Sequence, residues 1–314
     1  MSTKDPPWPG EPLFPANTSA VAILSDVHGN IRALDAILDD IAEQGIDAVA
    51  CNGDLITSSA HASQVVARLM AQGIPCTRGN HERYLRELDD PTHPKWGQAN
   101  WAPTCHDYRV LDARQHAWLR RLPDTLLLCD GEYPLLMSHA APGNDCVRVC
   151  AQNKEPFWRD LFAPLPRGCT LVGSHLHWFW RYSWHGYQFV RTPSAGLPLD
   201  GDTRAGYVIL RRGPEGWQAE QRRIPYDVEA ELAAFRASDY YREGGVVAHL
   251  FWEELRTARS WVLPFFAHAR KCALEQAADP NVTAFDREQL QAAYRTFDRT
   301  RYPEYNPDAP GASG

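Results

Sequence analysis

The chain has no excess of positive charge: 39 acidic residues stand against 32 lysines and arginines, a formal charge of -7. That excludes a protein held to nucleic acid by bulk basicity. A nucleic-acid substrate stays open, because a bound cation supplies positive charge that the count omits. Long apolar runs are missing too. The longest near a helix, residues 261–269, is too short to span a bilayer and contains Pro264, so no membrane partner is expected. Residues 1–19 are rich in proline and lack the charged start, apolar segment and cleavage site of a secretory signal. The expected compartment is therefore the cytoplasm, and the sequons at Asn17 and Asn281 carry little weight. The eight cysteines are scattered, and the one tight pair, Cys146 and Cys150, has no partner pair, so they read as ordinary thiols. There is no internal repeat and no low-complexity tract beyond the two ends.

What is present is alternation. An apolar run at 20–24 is followed by Ile31, Leu34, Leu38 and Ile41 at helical spacing, then by a buried strand at 48–51. Val65, Val66, Leu69 and Met70 mark a second helix and 74–77 a third strand. Such a β-α-β-α-β start implies parallel strands with covered faces. Residues 91–104 read as a loop-rich insert with two tryptophans, followed by a helix at 113–121 and strands at 125–129, 135–137 and 170–172. Four short segments, at 178–182, 187–191, 207–211 and 217–222, read as antiparallel strands. The fold class is α/β: two packed mixed sheets flanked by helices, with a C-terminal helical extension. The expected divisions are a disordered proline-rich segment at 1–18, the main domain at 19–226, a helical extension at 227–300 and a flexible tail at 301–314. One long helix is expected at 246–276, broken or kinked at Pro264. Its aromatic residues, with Phe251 and Trp252 among them, suit packing on the main domain or a homodimer contact.

Five short clusters end the expected strands: Asp26-Val27-His28-Gly29-Asn30, Gly53-Asp54, Gly79-Asn80-His81-Glu82, Ser138-His139 and His175-Leu176-His177. Asp26 and His28 are two apart, as are His175 and His177, so in extended backbone each pair points one way. A carboxylate can bridge two cations, which suits Asp54; Asn80 offers a neutral amide oxygen, and imidazoles suit zinc, manganese or iron. Singly, each cluster is weak. The ordered set supplies seven ligands and one spare histidine, the inventory of a two-metal site.

The series resembles the calcineurin-like metallophosphoesterase superfamily, whose pattern runs D-x-H, G-D, G-N-H-[DE], H and G-H-x-H. Ser25 to Asn30, Arg78 to Glu82 and Pro193 to Pro198 are similar to its small bacterial phosphodiesterase-like branch. The resemblance covers about residues 19–226. It implies a two-sheet sandwich, one metal on Asp26, His28 and His177, a second on Asn80, His139 and His175, and Asp54 bridging both. His81 matches the family's acid near the leaving group. The implied ions are divalent, manganese first, with iron, zinc or nickel as alternatives. Two departures stand out: Ser174 adds a residue between Gly173 and His175, and Leu55 to Ser59 lack the Asp-Arg-Gly of the serine/threonine phosphatases.

Two cations roughly 3.5–4 Å apart can share a water and hold it as hydroxide for in-line attack on phosphorus. His81 would protonate the leaving oxygen. Asn30, Arg78 and His61 are candidate substrate contacts, with a structural salt bridge an equal reading for Arg78. The expected substrate is a phosphorylated small molecule, a phosphodiester or nucleotide. The alternatives are a phosphomonoesterase of protein or dinucleoside-polyphosphate type, and a non-catalytic interaction scaffold.

Overall fold

The computed structural model of the chain describes residues 10–275 and 283–309. Among the described residues, nine strands form two sheets. β1 (Ala20–Leu24), β2 (Val49–Cys51), β8 (Ala205–Gly213) and β9 (Gly216–Ile224) lie in the order β2-β1-β8-β9. β3 (Thr125–Cys129), β4 (Leu135–Ser138), β5 (Thr170–Gly173), β6 (Trp180–Trp184) and β7 (Tyr187–Arg191) lie in the order β3-β4-β5-β7-β6. Period-two alternation on β1 explains the layering. Val21 and Ile23 enter the core between the sheets, with Met137, Val172 and Val208, while Ala22 and Leu24 face the flanking helices.

On that outer face, α1 (Ile31–Glu43) buries Ala33, Leu34, Ile37 and Ile41, and α2 (Ala62–Gln72) buries Val65, Val66 and Leu69. The third strand expected at 74–77 is reduced to a single parallel bridge between Cys51 and Cys76. Pro75 has no N–H for a ladder and serves only as acceptor, from the Cys51 amide. The four expected antiparallel strands are two hairpins divided between the sheets. β7 pairs antiparallel with β6 but parallel with β5, and β8–β9 belong to the other sheet. Four more helices lie between: α3 (Asn80–Glu87), α4 (Ala102–Val110), α5 (Ala113–Leu119) and α6 (Glu155–Phe162).

The extension comprises α7 (Val228–Ala237), α8 (Asp239–Glu243), α9 (Gly245–Thr257), α10 (Val262–Glu275) and α11 (Arg287–Thr296). Its own core holds Phe235, Leu250, Phe265 and Leu290, and that core also takes in Leu197 of the main domain. The break expected at Pro264 falls earlier. α9 ends at Thr257 and is capped by Ala258, whose φ is 50°, and the Glu254 carboxylate accepts from the Trp261 and Val262 amides. Pro264 then sits in the first turn of α10, where its missing N–H is tolerated. Among the described residues, no helix is long and apolar enough to cross a membrane.

Segments near both limits of the described residues are also engaged. Leu13 and Phe14, in the segment expected to be disordered, donate to the Leu127 and Leu128 carbonyls. Asp308, in the expected flexible tail, pairs with the fully buried Arg191. The missed signal is a buried charge on β7 whose counterion lies more than a hundred residues away.

Burial pushes the Asp107 carboxyl up to about 8 and that of Glu254 up to about 7, against their ordinary 3.8 and 4.5. Backbone hydrogen bonds from Thr57 and from Val262 and Trp261 oppose both shifts. Between those limits the folded chain binds protons that the unfolded chain has released. This contribution is therefore full below about pH 4 and is lost as pH rises towards 8. Urea midpoints of the parent should fall from pH 5 to 8.5 more steeply than those of Asp107→Asn/Glu254→Gln. Parallel profiles for the two proteins would contradict this.

Candidate metal centre

Four of the five clusters lie at the carboxyl ends of β1, β2, β4 and β5, and the Gly79 cluster follows the single bridge at Cys76 and opens α3. Their backbone is not extended. Asp26, His28, Asp54, His175 and His177 have φ of 53°, 51°, 51°, 69° and 63°. Non-glycine residues avoid this region, at a cost of order 1–3 kcal/mol each when held there. The two-apart spacing therefore does not act through a shared strand face. Tight coils aim each side chain separately, and His175 and His177 join different groups.

One group is Asp26, His28 and His177, a second is Asp54, His139 and His175, and a third is His28, Asp54 and His81. Within each, the potential donor atoms lie within 4.8 Å of one another. His28 and His177 place their Nε2 atoms 3.2 Å apart, and His177 Nε2 is 3.4 Å from Asp26 Oδ1. His139 Nε2 is 3.2 Å from Asp54 Oδ2 and 3.1 Å from Asn80 Oδ1.

Three observations fit this donor set to divalent cations. Asp26 is fully buried, yet neither of its carboxylate oxygens has a hydrogen-bond partner among the described residues. Such a carboxylate is costly unless a positive charge compensates it. His177 Nδ1 lies 2.6 Å from the Leu197 carbonyl and His139 Nδ1 lies 2.8 Å from that of Asn52. A carbonyl only accepts, so each Nδ1 carries hydrogen and leaves Nε2 to act as ligand. Charge completes the case. Burial acts to raise the Asp54 carboxyl, but His139 and His81 outweigh it and hold it well below the usual range. Burial opposes charge on His139, but Asp54 pushes it up to about 10, and the pull that keeps a proton there also attracts a metal that displaces it. Burial lowers His28, His81 and His175, the last to about 3.

Residues outside the expected set hold the donors in place. Glu82 accepts from the amides of Gly79, Asp54 and Leu55 at 2.8, 2.9 and 2.8 Å. A Cβ at Gly79 would stand 2.2 Å from Asp54 Oδ1, so only glycine fits there. Asn52 is the hub. Its side-chain NH2 donates to the Ser138 and Val172 carbonyls, its Oδ1 accepts from Thr77, and its own carbonyl accepts from Ser25. It ties the strand ends of both sheets together, and a polar residue ending the apolar run 48–51 was its only signal in the sequence. Ser174, the extra residue, donates to the His139 carbonyl at 2.9 Å.

Three expected substrate contacts turn out to be structural. Asn30 is fully buried; it donates to Gly196 and Tyr226 and caps α1 by accepting from Ala33. His61 pairs with Glu231 of the extension at 3.1 Å. Arg78 reaches Asp124 at 3.4 Å and Asp145 at 3.9 Å, the salt-bridge reading. None of the three lines the cavity over the clusters. That cavity, of about 580 Å³, is walled by His28, Asp54, Asn80, His81, His175 and His177, with Tyr84 and Trp101 from the 80–101 region and Phe251 from α9. Two larger cavities, of about 800 and 730 Å³, lie among the helices and reach none of these groups, so chemistry places the site in the smaller one.

The sequence profile of the calcineurin-like phosphoesterases matches residues 19–205. The chain belongs to this family. Among solved structures, a metallophosphoesterase from Sphaerobacter thermophilus is similar at a TM-score of 0.59 and 20% identity, over 77% of this chain and 100% of that one. A hypothetical protein from Pyrococcus horikoshii gives 0.61 and 15%, over 77% of this chain and 99% of that one. These likenesses bear on the fold: this phosphoesterase has the family's two-sheet sandwich. An uncharacterized protein of Methanocaldococcus jannaschii is 34% identical over 64 residues, 20% of this chain. The match spans about a quarter of that curated relative, 26% of its length.

Proposed function

We propose that the chain is a metal-dependent phosphoesterase that cleaves a phosphodiester, with a nucleotide ester as the natural extension. The observation that carries this reading is the meeting of the three Asp/His groups beneath one cavity, with the unpartnered Asp26 carboxylate buried among them. Asp26, His28 and His177 would hold one divalent cation, and Asn80, His139 and His175 a second. Asp54, which belongs to two of the groups, would bridge them. Manganese is the proposed metal. Such ions supply Lewis acidity and an activated water for in-line displacement.

The chain's own residues do the rest. His81 has its amide fixed on Asp54 Oδ1 at 2.9 Å and its ring edge-on to His28, and it borders the cavity. It is placed to pass a proton to the leaving oxygen. The two arginines that flank the Gly79-to-Glu82 cluster are already engaged by carboxylates and are not turned to the site floor. Arg78 is turned to Asp124, and Arg83 is fixed on Asp145 at 2.8 Å. That favours the singly charged diester.

Bis-p-nitrophenyl phosphate should be cleaved faster than p-nitrophenyl phosphate. Activity should vanish in EDTA and return with Mn²⁺. Turnover indifferent to EDTA would overturn the reading, and faster monoester cleavage would overturn the diester preference.

A further inference from the structure

The cavity over the metal-centre groups is not closed by the phosphoesterase fold alone. α10 contributes Leu263, Phe266 and Arg270 to its lining, three and four residues apart and so on one helix face. Leu263 is 57% exposed, the most exposed large apolar side chain among the described residues. Phe266 is half-buried and stacks on Phe285, with ring centres 6.1 Å apart. Arg270 is exposed and makes no ion pair or hydrogen bond among the described residues. On the 80–101 side, Tyr84 and Trp101 meet edge to face at 4.9 Å. The space therefore runs from a cation-binding floor, past flat apolar walls, to an uncommitted guanidinium. Its volume of about 580 Å³ suits a small-molecule ligand rather than a bare phosphate.

Such a gradient selects a ligand by three features. The scissile phosphate belongs on the floor. A planar, apolar body covers Leu263 and Phe266 and takes their surface out of water. A second anion, remote from the first, meets Arg270 through charge-assisted hydrogen bonds. We propose, resting on the phosphodiesterase reading above, that this face of α10 is a specificity element. It would recognise an ester whose organic group joins an aromatic ring to a second phosphate, as in a nucleotide phosphorylated at two positions.

Two chromogenic esters separate the contributions: thymidine 5′-(p-nitrophenyl phosphate), and the same ester carrying a 3′-phosphate. With the full chain in Mn²⁺, kcat/KM should favour the 3′-phosphorylated ester by about tenfold, the scale of one charge-assisted contact. In Arg270→Gln that ratio should fall below about twofold, mainly through KM of the 3′-phosphorylated ester, and Arg270→Lys should restore part of it. Using a ratio cancels any general loss of activity. If neither ester is cleaved, the phosphodiesterase reading fails and this inference with it. If both are cleaved and the preference is missing, or survives in Arg270→Gln, this inference alone fails.

Discussion

Asp54→Asn is expected to lower kcat/KM for a phosphodiester by roughly 10³, the scale of several kcal/mol of metal-assisted stabilisation. Asp54 is the one carboxylate shared between the group of His139 and His175 and the group of His28 and His81. Asparagine keeps the volume and an oxygen acceptor for the His81 amide, so the turn around Gly79 survives. What disappears is the charge between the histidines. Metal content by plasma mass spectrometry should fall by about one ion per chain alongside activity. Full metal occupancy with unchanged turnover would contradict a bridging role.

Asp308→Ala should cost about 3–5 kcal/mol of folding stability, because it strands a buried charge. The Arg191 guanidinium is fully buried, and it donates to the Trp178 and Val149 carbonyls at 2.6 and 2.8 Å. Its charge is met by the Asp308 carboxylate. Burial already disfavours the charged guanidinium and Asp308 offsets that, so removal of the acid leaves the penalty uncompensated. Urea unfolding at fixed protein concentration checks the loss, and Asp308→Glu should recover part of it. A change below about 1 kcal/mol would place the pair among inconsequential surface contacts. Tyr305 lines the cavity only three residues before Asp308, so KM should also rise in Asp308→Ala.

The sequence was legible where chemistry and local periodicity agree. The apolar runs at 20–24 and 125–129 are strands with those bounds, and five of the seven proposed donors line one cavity with His81, while Asp26 and His139 are buried in the same side-chain groups. Reading failed where a local rule competed with a distant partner. Asn30 and His61 look like substrate contacts beside the motifs, yet Tyr226 and Glu231, more than a hundred and fifty residues away, engage both. Pro264 looks like a helix breaker, but a glutamate ten residues earlier sets the actual start of α10. The contribution of α10 to the cavity has no signature in one dimension, because it depends on how two helices and the 80–101 region converge.

The backbone dihedrals of the donor residues have a consequence for transplantation. Of the nine non-glycine residues described with positive φ, five are candidate ligands and two more, Thr57 and Ser58, line the same cavity. A chain trace stripped of side chains would already mark this spot. Grafting the seven donors onto the regular strands of another sandwich would therefore fail to reproduce their convergence. The coiled strand ends, with Asn52 and Glu82 bracing them, would have to travel as a unit.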